Sequence, residues 1–481
     1  MLFNSFAFAV FLPIVFILYW LLPHKVRWIL MLVASYYFYM SWNAKYVFLI
    51  LFTTIISYVA AILLEKTERI RSKKWILFGT AVVCLGALFF FKYFNFVIES
   101  VTAVFRLFSI QMNPVVLNLL LPVGISFYTF QTLSYVIDVY KGNVKAEHHF
   151  GYYATFISFF PQLVAGPIER TNNLLPQIKA EHKFNYDQAT YGLKLMAWGY
   201  FKKIVIADTL SQFVSKVYDS PQGFSGFALV LATVFFTLQI YCDFSGYSDI
   251  AIGTAKLLGI NLMTNFNSPY FSQSIKEFWS RWHISLSTWF RDYVYIPLGG
   301  NRVGKIRHAV NLLITFLVSG LWHGANWTFV IWGGIHGLAQ VIENAIVPKN
   351  LLKEKSKGCM WIIRVLFVFA FVSFAWIFFV SNSLGDAMYV IGHMFTGIAS
   401  PISYLKKGFT DIGMGKEELI KECLLILILA IYDYFSLSRD VIDRISKKKT
   451  IIRWIVYICF GLIVVFLSQK GVAAEFVYFQ F

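Results

Sequence analysis

The stretch HAVNLLITFLVSGLWHGANWTFVIWGGIHG (residues 308–337) decides the fold class of this 481-residue chain. It contains two apolar segments separated by a short turn, and a histidine lies at the end of the first and within the second. A helix that crosses the hydrocarbon core of a bilayer needs about 20 mostly apolar residues. The stretch therefore predicts a helical hairpin embedded in a membrane.

The composition of the whole chain agrees with that prediction. Hydrophobic residues make up 58%, whereas an ordinary globular protein has roughly 45–50%. Charged residues make up only 14%, against about 25% in soluble domains. Aromatic residues reach 19%, which is typical of lipid-facing helices and interfacial belts. The chain is thus predicted to be an all-α polytopic membrane protein, and the soluble classes of enzyme are excluded.

Further apolar segments extend the prediction along the chain to about eleven spans. Several shorter or mixed segments are compatible with amphipathic or re-entrant helices, which are tolerated where protein covers the backbone. The candidate spans are 5–22, 27–42, 46–64, 75–91, 114–136, 224–241, 308–321, 325–343, 361–380, 422–436 and 452–468, and the ambiguous segments are 98–110, 152–166, 190–207, 247–261 and 386–396.

The basic excess of the chain follows its membrane topology. The net charge is +17, but the basic residues lie in short clusters between apolar spans, and no compact basic domain is available for nucleic acid. Clusters of this kind mark cytoplasmic loops. We therefore place residues 65–74, 349–357 and 439–453 in the cytoplasm, which puts both termini on the extracytoplasmic side. Residues 1–20 lack the features of a cleaved signal peptide and are predicted to be a retained first helix.

Polar groups interrupt several of the apolar segments. QIYCDFSGYSD (239–249) follows a long apolar helix and brings Asp243 and Asp249 to membrane depth, where ionisable groups are costly and usually line a cavity or a pathway. LPVGISFYTFQ (121–131) and FFPQLVAGPIER (159–170) are rich in helix breakers, and the second cannot form one straight helix. Each is compatible either with an intramembrane kink or with a functional role.

Three histidines, His283, His323 and His336, lie in or beside apolar segments. Histidine exchanges a proton near neutral pH, so an imidazole in this setting suits a general base that acts on an alcohol. Each of the three is also compatible with a hydrogen-bonded packing residue. No HExxH spacing or CxxC pair indicates a metal, and GGNRVGK (299–305) lacks the hydroxyl residue that completes a phosphate-binding loop.

Six motifs in order give the chain a resemblance to a known family over nearly its whole length. It resembles the membrane-bound O-acyltransferases, in the bacterial branch that includes the membrane subunit of alginate O-acetylation. The motifs that carry this resemblance are LPVGISFYTFQ (121–131), FFPQLVAGPIER (159–170), QIYCDFSGYSDIAIG (239–253), FWSRWHISLSTWFRDYVYIPLGGNR (278–302), LWHGANWTF (321–329) and FVYFQF (476–481).

The resemblance implies a role for individual residues. His323, in Trp-His-Gly, matches the catalytic histidine of the family, and His283, in Arg-Trp-His, would be the second active-site residue. His283 and Asn326 are candidates for orienting the thioester carbonyl. His336 matches a further histidine of this branch. The remaining supporting or tunnel-lining candidates are Asn326, Asp243, Asp249, Trp282, Trp322 and Arg281, and the candidates for the phosphates of the donor are Arg291, Arg302 and Lys305.

The same resemblance implies the architecture and the reaction. A single domain (1–481), with a catalytic core at about 114–345, would surround a central tunnel in a bacterial plasma membrane. Acetyl-CoA would donate an acetyl group from the cytoplasm, with no permanently bound cofactor and no metal. The acceptor would be an extracytoplasmic polysaccharide such as alginate or peptidoglycan, reached through a separate SGNH-type acetyltransferase or esterase subunit. Membrane lipid is the remaining partner, and nucleic acid is not one.

Two other functions stay open at this level. D-alanyl transfer to teichoic acid from a carrier protein would use the same Arg-Trp-His and Trp-His-Gly elements. A polysaccharide or acyl-group exporter without covalent chemistry would also need intramembrane acids, histidines and broken helices.

Overall fold

The computed structural model describes residues 1–164, 166–348, 356–468 and 476–477, and all regular structure in this part of the chain is helical. The prediction of an all-α membrane protein is confirmed. Most of the predicted loop 349–357 and the last four residues of the FVYFQF motif lie outside the described residues. Contacts along the chain define two compact units, Met1–Leu193 with Ala251–Met263 and Lys194–Ile250 with Thr264–Phe481.

Among its described residues, the first unit contains nine whole α-helices. They are α1 (Phe6–Leu21), α2 (His24–Met40), α3 (Val47–Lys66), α4 (Ile70–Leu88), α5 (Phe94–Leu107), α6 (Ile125–Lys141), α7 (Phe150–Ser158), α8 (Phe160–Leu163) and α9 (Thr171–Lys179). A π-helical turn, Phe89–Tyr93, joins α4 to α5. The helices α10 (Tyr186–Tyr200) and α12 (Phe227–Leu257) contribute residues to both units.

The second unit contains the other α-helices of the part of the chain that the structure describes. They are α11 (Asp208–Tyr218), α13 (Ile275–Arg281), α14 (Ile284–Phe290), α15 (Lys305–His323), α16 (Trp327–Ile346), α17 (Gly358–Val380), α18 (Leu384–His393), α19 (Pro401–Ile412), α20 (Lys416–Ser436), α21 (Val441–Ser446) and α22 (Thr450–Leu467). Two π-helical turns, Phe201–Ala207 and Arg291–Tyr295, extend α10 and α14.

Five helical segments among the described residues are long and apolar enough to cross a membrane: Ala44–Lys66, Ile70–Leu107, Phe227–Leu257, Gly358–Val380 and Thr450–Leu467. The shorter apolar helix α1 covers the first predicted span. The other predicted spans, apart from 114–136, coincide with helices that are shorter or more polar.

The predicted span 114–136 is wrong over its first half, because α6 begins only at Ile125. The apolar residues before α6 are not helical. The side chain of Asn95, on α5, makes hydrogen bonds to the backbone of one of these residues in place of the helical bonds. Its Oδ1 accepts from the N–H of Leu117 and its Nδ2 donates to the Leu117 carbonyl, both at 2.9 Å. Pro122 and a left-handed Gly124 (φ 75°) then fix the point at which α6 begins.

Buried polar residues explain two of the sequence motifs in the first unit. Every residue of α6 from Ile125 to Val136 is buried. Gln131 of the first motif donates to the Phe156 carbonyl (2.8 Å), and Gln162 of the second donates to Gln131 Oε1 (3.2 Å). A Cβ on Gly124 would lie 2.8 Å from the Leu163 carbonyl oxygen. The two motifs are therefore packed together, and a hydrogen bond between two buried amide side chains joins them.

The prediction that Asp243 and Asp249 come after the end of an apolar helix is wrong. Residues 224–241 and the ambiguous segment 247–261 belong largely to one helix, α12, and both acids lie within it. No proline interrupts this segment, and basic side chains described below neutralise the two carboxylates. The helix therefore continues where the polar residues suggested that it would end.

The helices α15 and α16 form the predicted hairpin, and glycines allow its backbones to approach closely. A Cβ on Gly320 would lie 2.2 Å from the Phe329 carbonyl oxygen, and a Cβ on Gly333 would lie 2.3 Å from that of Phe316. No side chain larger than hydrogen fits at these distances, so the approach of the two helices depends on both glycines.

We expect Gly333→Ala to destabilise the protein by about 1–3 kcal/mol, because the added methyl group must push the two helices apart. Thermal unfolding in detergent, followed by fluorescence, measures the change. Gly334→Ala is the matched control, because its Cβ would meet only Leu317 Cδ2 at an ordinary 3.5 Å. Equal melting temperatures for the two variants would contradict the role given to Gly333.

Candidate active site

His323 is the last residue of α15, and an aromatic enclosure surrounds it. The side chain is buried, with 3% of the residue exposed. Its ring centroid lies 5.0 Å from that of Trp322, 5.0 Å from that of Trp332 and 5.4 Å from that of Phe379. Because α15 ends here and Gly324 continues in an extended conformation, the imidazole occupies the turn of the hairpin rather than the side of a helix.

His336 lies on α16 and contacts the same tryptophan. Its ring centroid is 5.1 Å from that of Trp332, and the residue is fully buried. The indole Nε1 of Trp279, on α13, donates to His336 Nδ1 at 3.3 Å. An indole N–H can only donate, so Nδ1 is an acceptor and the neutral ring carries its proton on Nε2.

His283 lies between α13 and α14 with a left-handed backbone (φ 43°), which is unusual for a residue with a side chain. The residue is fully buried, and its Nδ1 is 3.1 Å from Asn265 Oδ1. Its ring contacts Phe244 edge-on at 4.6 Å, and Trp322 at 6.2 Å between centroids.

The structure brings the three predicted histidines together through two shared tryptophans. Trp322 contacts both His283 and His323, and Trp332 contacts both His323 and His336. All of these residues belong to the second unit. The three histidines therefore lie along one run of buried imidazole and indole rings, while their catalytic roles stay predictions.

The other motif residues around the histidines have structural partners. Trp282 is buried and stacks on Phe278, with centroids 5.5 Å apart. Arg281 pairs with Glu277 at 2.9 Å, one turn earlier on α13. Asn326 caps α16: its Oδ1 accepts from the Thr328 N–H (3.0 Å), and its Nδ2 donates to the Asn382 carbonyl (3.1 Å). Its predicted contact with a thioester carbonyl would compete with these bonds.

Asp243 and Asp249 form ion pairs with two consecutive lysines of the π-helical turn. Lys203 Nζ lies 2.7 Å from Asp243 Oδ1 and 2.8 Å from Asp208 Oδ1, and Lys202 Nζ lies 2.8 Å from Asp249 Oδ2. The second oxygen of Asp243 accepts from the N–H of Val477 at 2.7 Å. Both lysines are buried, so the cluster neutralises charge that would otherwise be isolated in an apolar environment.

The basic residues predicted to meet the donor phosphates lie at the protein surface. Arg291 pairs with Asp292 (2.8 Å), and Arg302 and Lys305 are exposed in the loop before α15 and at its first residue. Among the described residues, no three His, Cys, Asp or Glu side chains converge as metal ligands.

Sequence reasoning missed the residues that hold the histidines in place. Asn265 and Trp279 bond directly to His283 and His336, and Trp332 joins His336 to His323. Trp279 lies in the same motif as His283 and could have been noticed there. Asn265 is 18 residues from its partner in a segment without helical periodicity, so no local signal indicates it.

Comparison with known proteins assigns this arrangement to a family. The model of the membrane-bound O-acyltransferase family (MBOAT) matches residues 144–383, which include all three histidines. The "Probable alginate O-acetylase AlgI" of Azotobacter vinelandii is 40% identical over 403 residues, covering 82% of this chain and 78% of that protein. The chain belongs to the membrane-bound O-acyltransferase family.

Two further relatives show the breadth of the family around this chain. The "Peptidoglycan O-acetyltransferase" of Helicobacter pylori is 32% identical over 537 residues, covering 100% of this chain and 98% of the relative. The "Teichoic acid D-alanyltransferase" of Streptococcus thermophilus is 30% identical over 281 residues, 55% of this chain and 68% of the relative. The MBOAT assignment confirms the prediction of an integral membrane O-acyltransferase. It favours an enzyme over the alternative of an exporter without covalent chemistry.

We expect His336 to populate both neutral tautomers in Trp279→Phe, because phenylalanine keeps the ring packing and removes the indole donor. The lost hydrogen bond should cost about 0.5–1.5 kcal/mol in unfolding free energy. Nitrogen-15 NMR of histidine-labelled protein reports the tautomer. Trp332→Phe is the control, because the Trp332 indole touches the same ring without a hydrogen bond to any described residue. Identical His336 spectra in wild type and Trp279→Phe would contradict the assignment.

We expect Lys203→Met to lower the unfolding free energy by about 3–5 kcal/mol, because it leaves Asp208 and Asp243 buried without their shared cation. Lys216→Met removes an exposed lysine from the following helix and should change stability by less than about 0.5 kcal/mol. Melting temperatures of the two variants in the same detergent make the comparison. A loss as small for Lys203→Met as for Lys216→Met would show that the buried cluster contributes little.

Proposed function

We propose that this MBOAT protein transfers an acetyl group from a cytoplasmic thioester, acetyl-CoA, for O-acetylation of an extracytoplasmic polysaccharide. The relatives named for alginate and peptidoglycan O-acetylation cover most or all of the chain and support this substrate class. The relative named for D-alanyl transfer matches a shorter part. The observation that carries the proposal is the buried aromatic enclosure that holds His323 at the hairpin turn.

His323 acts as the general base in this proposal. Its imidazole takes the proton of the acceptor hydroxyl, the hydroxyl oxygen attacks the thioester carbonyl, and a tetrahedral oxyanion forms. The C–S bond then breaks, and the imidazolium returns its proton to the departing thiolate. Because His323 is the last residue of α15, the partial negative charge at the helix C-terminus stabilises the imidazolium formed in the first step.

The enclosure supports this chemistry by excluding water. Trp322, Trp332 and Phe379 cover the imidazole, and a thioester held there is protected from hydrolysis. An acyl-histidine intermediate is the alternative route through the same residue. It would be seen as label retained on the protein after the donor is removed.

The membrane side of the donor and that of the acceptor follow in this proposal from the predicted topology and the basic residues. With basic loops in the cytoplasm, exposed Arg302 and Lys305 attract the phosphates of the donor, and Arg291 adds to them. The acetyl group leaves on the extracytoplasmic side, where an SGNH-type subunit carries it to the polysaccharide. Both termini lie on that side of a bacterial plasma membrane.

We expect His323→Ala to lower the rate of acetyl transfer from labelled acetyl-CoA by at least about 100-fold, because the base is lost. Purified protein in detergent is assayed for label on protein, water and an added glycan acceptor. His308→Ala, at the opposite end of α15, is the matched control and should retain activity. Equal transfer by wild type and His323→Ala would remove this histidine from the mechanism.

A second donor in the same assay separates the two acyl-transfer functions. A carrier protein loaded with D-alanine replaces acetyl-CoA, and the remaining components stay unchanged. Transfer from the loaded carrier, with none from acetyl-CoA, would replace our proposal by D-alanyl transfer.

A further inference from the structure

The side chain of Asn265 is the hydrogen-bond centre of the segment around His283. Its Oδ1 lies 3.1 Å from His283 Nδ1 and accepts from Ser285 Oγ at 2.9 Å and from the Ser285 N–H at 3.3 Å. Its Nδ2 donates to Ser248 Oγ at 3.3 Å. Asn265, Ser285 and His283 are each 0% exposed, so no solvent competes for these groups.

Asn265 also stabilises the backbone at His283. The left-handed conformation of a non-glycine residue is strained and persists only where its surroundings enforce it. The main-chain carbonyl of Asn265 accepts from the Ile284 N–H (2.9 Å). The side-chain Oδ1 of Asn265 accepts from the next N–H, that of Ser285. His283 itself makes no side-chain cap. Asn265 therefore caps α14 from a separate segment and fixes the direction in which the imidazole points.

The same contacts determine which nitrogen of His283 carries the proton. The Ser285 N–H can only donate, so the Asn265 atom that faces it is the carbonyl oxygen and not the amide nitrogen. An amide oxygen cannot donate to a ring nitrogen. His283 Nδ1 is therefore the donor, and in the neutral ring Nε2 carries the lone pair.

We propose that Asn265 is a positioning residue for acyl transfer, which holds His283 in its Nδ1–H tautomer so that Nε2 meets the substrate as an acceptor. This inference rests on the proposed function. It also changes one expectation from sequence, because a neutral His283 in this tautomer cannot donate a hydrogen bond to the thioester carbonyl. Its Nε2 can only accept from a donor of the bound substrate, while the proton of the acceptor hydroxyl goes to His323.

The first test is spectroscopic and needs no turnover. Nitrogen-15 NMR of histidine-labelled full-length protein is compared with His283→Gln to identify the His283 signals among the nine histidines. We expect the Nδ1–H tautomer in wild type and in Asn265→Asp, whose carboxylate keeps the acceptor oxygen. Asn265→Ala should give a mixture of tautomers. An Nε2–H tautomer in wild type would overturn the proposal.

The second test is kinetic. Asn265→Ala should lower kcat for acetyl transfer at least about tenfold, since a wrong tautomer removes a reaction-specific interaction, while KM for acetyl-CoA changes by less than about threefold. Asn265→Asp should recover most of the rate. Asn267→Asp, the same exchange at an exposed side chain two residues on, should behave as wild type.

Two kinetic results count against the inference in different ways. An Asn265→Asp protein that keeps the tautomer and is as slow as Asn265→Ala would overturn the positioning role. Absence of acetyl transfer by wild type would overturn the proposed function and the catalytic part of the inference together. The spectra alone would then decide the tautomer assignment. They also decide it if Asn265→Ala fails to fold, because the spectrum of Asn265→Asp remains for comparison.

Discussion

The arrangement of the histidine and tryptophan rings at the candidate site depends on the close approach of α15 and α16 at Gly320 and Gly333. At this crossing the backbone of each helix touches the other, so the turn between them is tight and its position is fixed. His323 lies at that turn and His336 lies one turn beyond the crossing, with Trp332 against both. In lipid, where apolar side chains gain little by associating, such close backbone contact is a main source of helix packing.

The second constraint is the satisfaction of buried polar groups. Asn95 pairs with the backbone of Leu117, Gln162 with Gln131, and Lys203 with two aspartates. In each case a polar side chain that looks out of place in an apolar sequence is required by a specific group elsewhere in the same unit. An unpaired group there would cost several kcal/mol, so the pairs specify where segments bend, begin and meet.

The pairing of buried polar groups over long sequence distances explains which features could be predicted from the sequence. The hairpin of α15 and α16 was predictable because both helices are apolar and a histidine and glycines mark their turn. The span 114–136 was mispredicted because hydropathy does not register that Asn95 replaces helical hydrogen bonds at Leu117. The continuation of α12 through Asp243 was hidden because the neutralising lysine comes forty residues earlier. For the site, motifs indicated the three histidines, but the role of Asn265 depends on a contact that no local pattern encodes.

Two of the three site histidines, His283 and His336, differ in a way that sequence cannot express. Asn265 offers an acceptor to Nδ1 of His283, and Trp279 offers a donor to Nδ1 of His336. The neutral rings are thereby held in opposite tautomers, one with a lone pair on Nε2 and the other with a proton there. A lone pair can only accept a hydrogen bond and an N–H can only donate one, so the two rings differ in the hydrogen bonds that they can still make. The identity of the neighbour, more than the presence of histidine, therefore decides which hydrogen bond each imidazole can make.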